Sequence, residues 1–373
     1  MRLALAVTLV VATTGGARAA PRCVTLTACK TACTSGDGRS CRDLGNLLLR
    51  ATPVDLVGAA SAFSAGCDHS DAASCAALAV QVQDGRGVAW DQARAQQLYL
   101  RACDGGAGVG CFNLGVMFNE GNGVTVDHAK AKAMMARALL EYAPQCDAEP
   151  SWCVNIGYIY EHEMAGAGAD FGHALAAYRK GCDHGDLDAC ASVASLTIHG
   201  NGVPKDAASG VALLEKSCTW GGAIACGMLA GTIAGDDPRH APPRVRTLME
   251  KSCELGNSQS CGKIGAYYGM GIGGPIDDAK AARYQRRACD LGESLACLTE
   301  AEVLESSDPR SAADFELRAC RIGNLEGCTA IMQLAAAGKI KPDEAMRRDV
   351  IAVECFHGEH AACEYLRSKP ATH

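Results

Sequence analysis

The chain has 373 residues, a formal net charge of −7, 48% hydrophobic but only 5% aromatic residues, 42 glycines and 22 cysteines. A chain this aliphatic is not disordered by composition, and its acidic balance argues against the basic face that nucleic acid or an anionic membrane requires. Its length permits two or three ordinary domains or one repeat array, and the scarcity of aromatics favours many small close contacts over one thick core.

Residues 1–19 read as a secretory leader. Arg2 supplies a positive start, Leu3 to Val11 is apolar apart from Thr8, and Ala17-Arg18-Ala19 forms a cleavage site before Ala20. Without Arg2 and Arg18 the chain keeps 33 basic against 42 acidic residues, a net charge of −9. Arg22 stands before Cys23, where a lipid-modified cysteine needs a small residue, so no lipid anchor is expected. No later apolar run approaches the roughly 18 residues needed to cross a bilayer. The expectation is a soluble, secreted or periplasmic protein whose disulfides persist. A cap segment is expected over 20–40, a repeat array over 41–363 and a tail over 364–373.

The cysteines fall into pairs eight residues apart: Cys33/Cys41, Cys67/Cys75, Cys103/Cys111, Cys182/Cys190, Cys218/Cys226, Cys253/Cys261, Cys289/Cys297, Cys320/Cys328 and Cys355/Cys363. Cys146/Cys153 is a tenth pair, one residue tighter, and Cys23 and Cys29 are left to pair with each other. The pairs recur about every 36 residues, the mark of a solenoid rather than of several globular domains. Zinc knuckles favour closer spacings, and the metal-like segment Cys355, His357, His360, Cys363 is an ordinary repeat pair with histidines in it. Local disulfides are therefore expected, with no metal and no cofactor.

Aligned on the cysteines, each unit reads as two antiparallel helices of roughly 11 to 14 residues. Before the first cysteine stand a base and a small residue, as in Arg101-Ala102, Lys180-Gly181, Lys216-Ser217, Lys251-Ser252, Arg287-Ala288 and Arg318-Ala319. Three residues after it comes glycine, at Gly36, Gly106, Gly185, Gly221, Gly256, Gly292, Gly323 and Gly358. That is a helix C-terminus with a left-handed cap. The second cysteine opens the next helix, with an aliphatic-small pair three residues on (Leu114-Gly115, Ile156-Gly157, Ile264-Gly265), and a G-x-G-V loop closes it at Gly85, Gly121 and Gly200. Asp91, Asp127 and Asp277, each followed by a base and alanine, start the returning helix.

These motifs, fullest between Cys111 and Cys146, resemble the Sel1-like repeat family of tetratricopeptide-type αα solenoids, and more narrowly the Helicobacter cysteine-rich secreted proteins. The loop is missing from 41–67 and 297–320, and Pro150 replaces the cap glycine between Cys146 and Cys153. The resemblance implies an all-α, right-handed solenoid of about nine to ten repeats with a disulfide across each repeat turn. It implies a protein or peptide partner gripped by a concave groove. Some members carry a β-lactamase-like or peptidoglycan-related label, which is the alternative reading.

In related solenoids the helix after the second cysteine lines that groove. The row two residues past that cysteine is Asp43, Asn113, Asn155, Ser192, Lys263 and Thr299, and farther along lie Phe118, Tyr160 and Tyr268. These are the candidate binding residues. The lone S-x-x-K, Ser260 to Lys263, lacks S-D-N and K-T-G companions, so no catalytic residue is assigned. Glu161-His162-Glu163 diverge on a helix and are not read as a metal or acid–base site.

Overall fold

The computed structural model describes residues 23–51, 55–88, 90–121, 123–162, 168–235, 242–321 and 324–356. The expected leader and tail, Glu163, Gly323, Gly358 and the pairing of Cys355 with Cys363 lie outside them. All regular structure among the described residues is helical. The helices that end near a first cysteine are α1 (Leu26–Thr34), α3 (Leu56–Asp68), α5 (Gln92–Asp104), α7 (His128–Tyr142), α9 (Phe171–Asp183), α11 (Ala207–Thr219), α13 (Pro243–Glu254), α15 (Asp278–Asp290), α17 (Pro309–Arg321) and α19 (Glu344–Phe356). Those that carry a second cysteine in their first turn are α2 (Gly38–Leu49), α4 (Ala72–Asp84), α6 (Gly108–Glu120), α8 (Pro150–Glu161), α10 (Leu187–His199), α12 (Ala223–Ala234), α14 (Ser258–Met270), α16 (Ser294–Leu304) and α18 (Leu325–Ala336). The helices α2, α6, α8, α10, α12, α14, α16 and α18 each pack on the odd helix that follows, in a succession of αα pairs.

The turn between an odd and an even helix is built as the cysteine alignment indicates. Gly36, Gly106, Gly185, Gly221, Gly256 and Gly292 all have φ between 82° and 99°. Among the described residues nine disulfides, from Cys23–Cys29 to Cys320–Cys328, have Cα atoms 4.5–5.0 Å apart. Cys182 and Cys190 are each disulfide-bonded as well. In one of the repeats that break the glycine rule, Pro150 takes the first position of α8, where its missing N–H is not needed.

The turn after Cys67 holds Ser70 at φ 64°, the one non-glycine with positive φ among the described residues. A side chain in this region is sterically disfavoured, so Ser70→Gly is expected to raise stability by about 0.5–1 kcal/mol. A urea denaturation curve with an unchanged slope and a higher midpoint would show it; an unchanged midpoint would refute it.

The even-to-odd connection is closed by one recurring bond that the motifs did not reveal. The N–H of the capping aspartate donates to the carbonyl seven residues past the second cysteine: Asp55 to Leu48, Asp91 to Val82, Asp127 to Phe118, Asp170 to Tyr160, Asp206 to Thr197, Asp277 to Tyr268 and Asp308 to Leu304. Two connections without a G-x-G loop, in 41–67 and 297–320, keep this closure. Gly271 and Gly273, each at φ 71°, add a loop of the same left-handed pattern.

The bases near the first cysteine do more than face their own helix dipole. They reach back one repeat. Arg101 donates to the Cys67 carbonyl at 2.6 Å, Arg137 to that of Cys103 at 3.1 Å, Lys251 to that of Cys218 at 2.7 Å and Arg287 to that of Cys253 at 3.3 Å. The aspartate after the cysteine often joins in, as in Arg137–Asp104 at 3.0 Å and Lys180–Asp147 at 2.5 Å. Exposed ion pairs alone contribute little. Here they also bring a second donor to a helix-end carbonyl that already accepts the N–H three residues on, and they lock one repeat to the next.

The small residue inside each even helix sets how closely its partner approaches. A Cβ added to Gly45 would sit 2.4 Å from the Phe63 ring, one at Gly115 would sit 2.7 Å from Met135, and one at Gly157 would sit 2.5 Å from the Tyr178 ring. The large side chain of the odd helix therefore fills the groove that glycine leaves.

The chain divides into two compact units. One comprises the residues through Val80 with Arg94–Ala189; the other comprises Gln81–Ala93 with the residues from Cys190 onward. The core of the first gathers the Cys67–Cys75, Cys103–Cys111 and Cys146–Cys153 sulfurs with Phe112, Met135, Tyr142 and Trp152. In the second, Met249, Ile264, Tyr268 and Tyr284 surround Cys253–Cys261 and Cys289–Cys297. Trp90 belongs to the second unit, buried with Leu317, Cys320, Cys328, Ile331 and Val350.

Candidate binding depression

The D-x-x-K-A motif is explained by three contacts at the start of an odd helix. The Asp127 carboxylate accepts the Lys130 N–H at 3.0 Å, which holds its pKa below the ordinary range. The Lys130 ammonium ion-pairs with Asp127 at 3.3 Å and lies 5.3 Å from the Phe118 ring centre. Ala131 is buried.

The same arrangement pairs Tyr160 with His173, stacked at 5.1 Å, and Tyr268 with Lys280 at 4.7 Å. The three aromatics of the predicted row thus each meet the residue three past the capping aspartate. Recognising that needed the loop closure, which brings sequence-distant residues side by side.

The row is uneven in exposure. Asn113 and Asn155 are buried, Asp43 and Ser192 are partly exposed, and Lys263 and Thr299 are exposed. Asn113 Nδ2 has no hydrogen-bond partner. Thr299 donates its hydroxyl to the Leu295 carbonyl within its own helix. Phe118 and Tyr160 are half-buried.

Tyr268 is enclosed. Arg246 lies 4.4 Å from its ring centre, its hydroxyl donates to Glu250 at 2.6 Å, and Lys280 bonds that hydroxyl at 3.1 Å. Arg246 also donates to the carbonyls of Tyr267, Ile272, Gly274 and Pro275. This buried arginine ties the loop after α14 down over Tyr268, and no motif announced it.

Around Phe118 the surface opens. Gln96, Gln97 and Leu100 of α5, Leu114 and Phe118 of α6, and Lys130 and Met134 of α7 line a depression of about 390 Å³. That volume lies within the range of ligand sites, and the lining is apolar with an ammonium and two amides. Only Phe118 of these was among the predicted binding residues. The α5 and α7 residues were missed because they belong to the odd helices, outside the row read from the even ones. Leu100, 45% exposed in a repeat core otherwise well buried, is the anomaly that marks the place.

The residues weighed for chemistry are committed to structure. Ser260 is buried at the third position of α14, whose N-cap is Asn257, not Ser260 itself. Its hydroxyl is 2.8 Å from that of Ser252, which donates to the Ala223 carbonyl at 2.7 Å, so Ser260 is the donor of the pair. Glu161 accepts from the Tyr178 hydroxyl at 2.7 Å, and His162 stacks on Tyr158 at 4.0 Å. Among the described residues no group of three His, Cys, Asp or Glu could hold a metal, and no helix is long and apolar enough to cross a membrane.

Four segments, 72–106, 108–140, 187–219 and 258–293, match the model of the Sel1 repeat. Among solved structures the chain is similar to a protective antigen of uropathogenic Escherichia coli strains displaying an SLR fold, at 22% identity over 93% of this chain and 76% of that one, with a TM-score of 0.43. It is similar to a Sel1 repeat protein from Oxalobacter formigenes at 22% identity over 66% of this chain and 96% of that one, with a TM-score of 0.45. An immunity protein of Pseudomonas aeruginosa, Pa5087, aligns at 15% identity over 58% of this chain and 88% of that one, with a TM-score of 0.35. No curated protein matches the chain. With the matched repeats in register with the stapled turns and loop closures described above, the chain carries four Sel1 repeats within an αα-solenoid that has a disulfide across its repeat turns.

Proposed function

We propose that the chain is an exported scaffold that binds an extended peptide or a protein segment through the depression around Phe118. The observation that carries this is the open apolar lining of Leu100, Leu114, Phe118 and Met134 beside the Lys130 ammonium. An aliphatic or aromatic anchor fits the floor, and a carboxylate next to it fits Lys130. Within the same unit the half-buried row positions Asp43 and Tyr160 offer further polar contacts in this reading, and Ser192, Lys263 and Thr299 offer separate ones in the second unit, whereas Asn113, Asn155 and Tyr268 are too buried to take part. Sel1 repeats serve protein interaction, and the abundant disulfides suit an oxidising, extracytoplasmic compartment. Export through the leader at 1–19 and action by binding rather than turnover complete the proposal.

The test is selection of a displayed random peptide library on the oxidised protein. Enriched peptides should carry an apolar anchor followed by an acidic residue. Leu100→Glu, at an exposed position, should weaken them by at least about tenfold, the effect of burying an unpaired charge against an apolar anchor. Peptides whose affinity is indifferent to Leu100→Glu and Lys130→Ala would refute the site.

A further inference from the structure

Four residues before the first cysteine, the odd helices hold a core position. Phe63, Tyr99, Tyr142, Tyr178, Leu214 and Met249 occupy it in six of them, each no more than 2% exposed, while α15 has the half-buried Gln285, whose amide donates to the Gly262 carbonyl at 3.3 Å. In α17 the same position is Glu316, 5% exposed. A second apolar position of that repeat, three residues past the second cysteine, is likewise a glutamate. Glu300 stands where the other even helices have Leu, Ile or Val, and it is 2% exposed.

The two carboxylates differ in one respect. Glu300 is ion-paired with Arg286 at 2.5 Å. Glu316 Oε2 is buried with no hydrogen-bond partner. The nearest ammonium, that of Lys339, is engaged by Glu305 at 2.9 Å. Where six other repeats place a ring or an aliphatic chain, this one has a cavity of about 190 Å³ lined by Glu305, Glu316, Ala330, Gln333, Leu334 and Lys339 among others. That is about six water volumes at ~30 Å³ each, room for a cationic head and a short methylene stem.

A buried carboxylate without a partner opposes folding, and a departure from the repeat's own rule that is not repaired marks a functional position. We propose that this cavity is a binding site for a primary alkylammonium group, whose N–H bonds to Glu316 Oε2 and whose methylenes lie on Leu334 and Ala330. The ammonium supplies to Glu316 the counter-charge that Arg286 supplies to Glu300. A free small amine and a lysine side chain of a partner present the same chemistry. The site lies in the second unit and does not depend on the depression around Phe118.

Burial pushes the Glu316 carboxyl up to about 7, with Glu305 adding to the rise and Lys339 opposing it. Its charge is therefore present at about pH 8 and largely lost near pH 5.5, and ammonium binding should weaken on acidification. The same shift predicts that the empty protein loses stability as pH rises from about 4.5 to about 7, because the folded form holds this proton more tightly than the unfolded chain.

The experiment is an NMR titration of the full oxidised protein at about pH 8 with n-butylammonium chloride and, separately, with N-acetyl-lysine methylamide. Saturable shifts confined to the amides near 316 and 330–339 are expected, at least about tenfold weaker in Glu316→Gln. Saturation by both compounds assigns the site to alkylammonium groups in general; saturation by the lysine derivative alone assigns it to a partner's side chain. Glu316→Leu, which restores the residue type of Leu214, should raise the melting midpoint and abolish binding. Equal titration of wild type and Glu316→Gln, or no saturable response to either compound, would overturn the proposal.

Discussion

Reducing the disulfides is expected to unfold this protein at room temperature. Each bond with an eight-residue separation closes a short loop, worth roughly 2–3 kcal/mol in the chain-entropy model. The bonds together would exceed the ~5–15 kcal/mol net stability of a typical folded chain. They also occupy the core: Cys41, Cys153, Cys226, Cys253, Cys261, Cys297 and Cys320 are fully buried. Thermal melts with and without a phosphine reductant would measure the effect, and the paired Cys253→Ser, Cys261→Ser variant isolates about 2–3 kcal/mol of it. A reduced chain that melted at the oxidised midpoint would show that helix packing alone sustains the repeats.

Trp90→Ala is expected to be the most damaging single substitution, at about 3–5 kcal/mol. Trp90 follows a G-x-G loop and has the appearance of an exposed turn residue, yet it is 8% exposed in a cluster with Leu317, Cys320, Cys328, Ile331 and Val350. The indole covers the staple of the Cys320–Cys328 turn. Removing it should speed amide exchange in α17, α18 and α19 while leaving α6 and α7 protected. Uniform exchange throughout, or loss confined to α5, would contradict this account. Arg321, ion-paired with Asp349 at the same place, provides a milder comparison through Arg321→Ala.

Much of the fold was legible because the repeat is short-ranged. Glycine at Gly106, Gly221 or Gly256 is required by a left-handed backbone, and a cysteine eight residues away is already within bonding reach. The base before the cysteine was legible as a helix-end residue. Its destination, the preceding repeat's carbonyl, was not, because that contact spans 33 or 34 residues. The capping role of Asp55, Asp170, Asp206 and Asp308 was hidden for a related reason. They lack the following Lys-Ala, and their position is defined by the loop-closing bond rather than by a motif.

The candidate sites divide in the same way. Phe118 was visible as an aromatic at a repeated register, but its depression also needs Leu100 and Met134 from two other helices. Tyr268 shares that register, yet Arg246 from α13 covers its ring. Identical positions in successive repeats thus have different fates, set by neighbours that the alignment on cysteines does not include.

The amino-acid sequence by itself determined the helix phase, the turns, the staples and the length of each repeat, since all of these depend on residues within about one or two helical turns of one another. Only the tertiary structure decided that Trp90 joins a core some 230 residues farther along and that Glu316 Oε2 is left buried without a hydrogen-bond partner. Both depend on which side chains meet across packed helices, and packing compares volumes and charges that no single repeat contains.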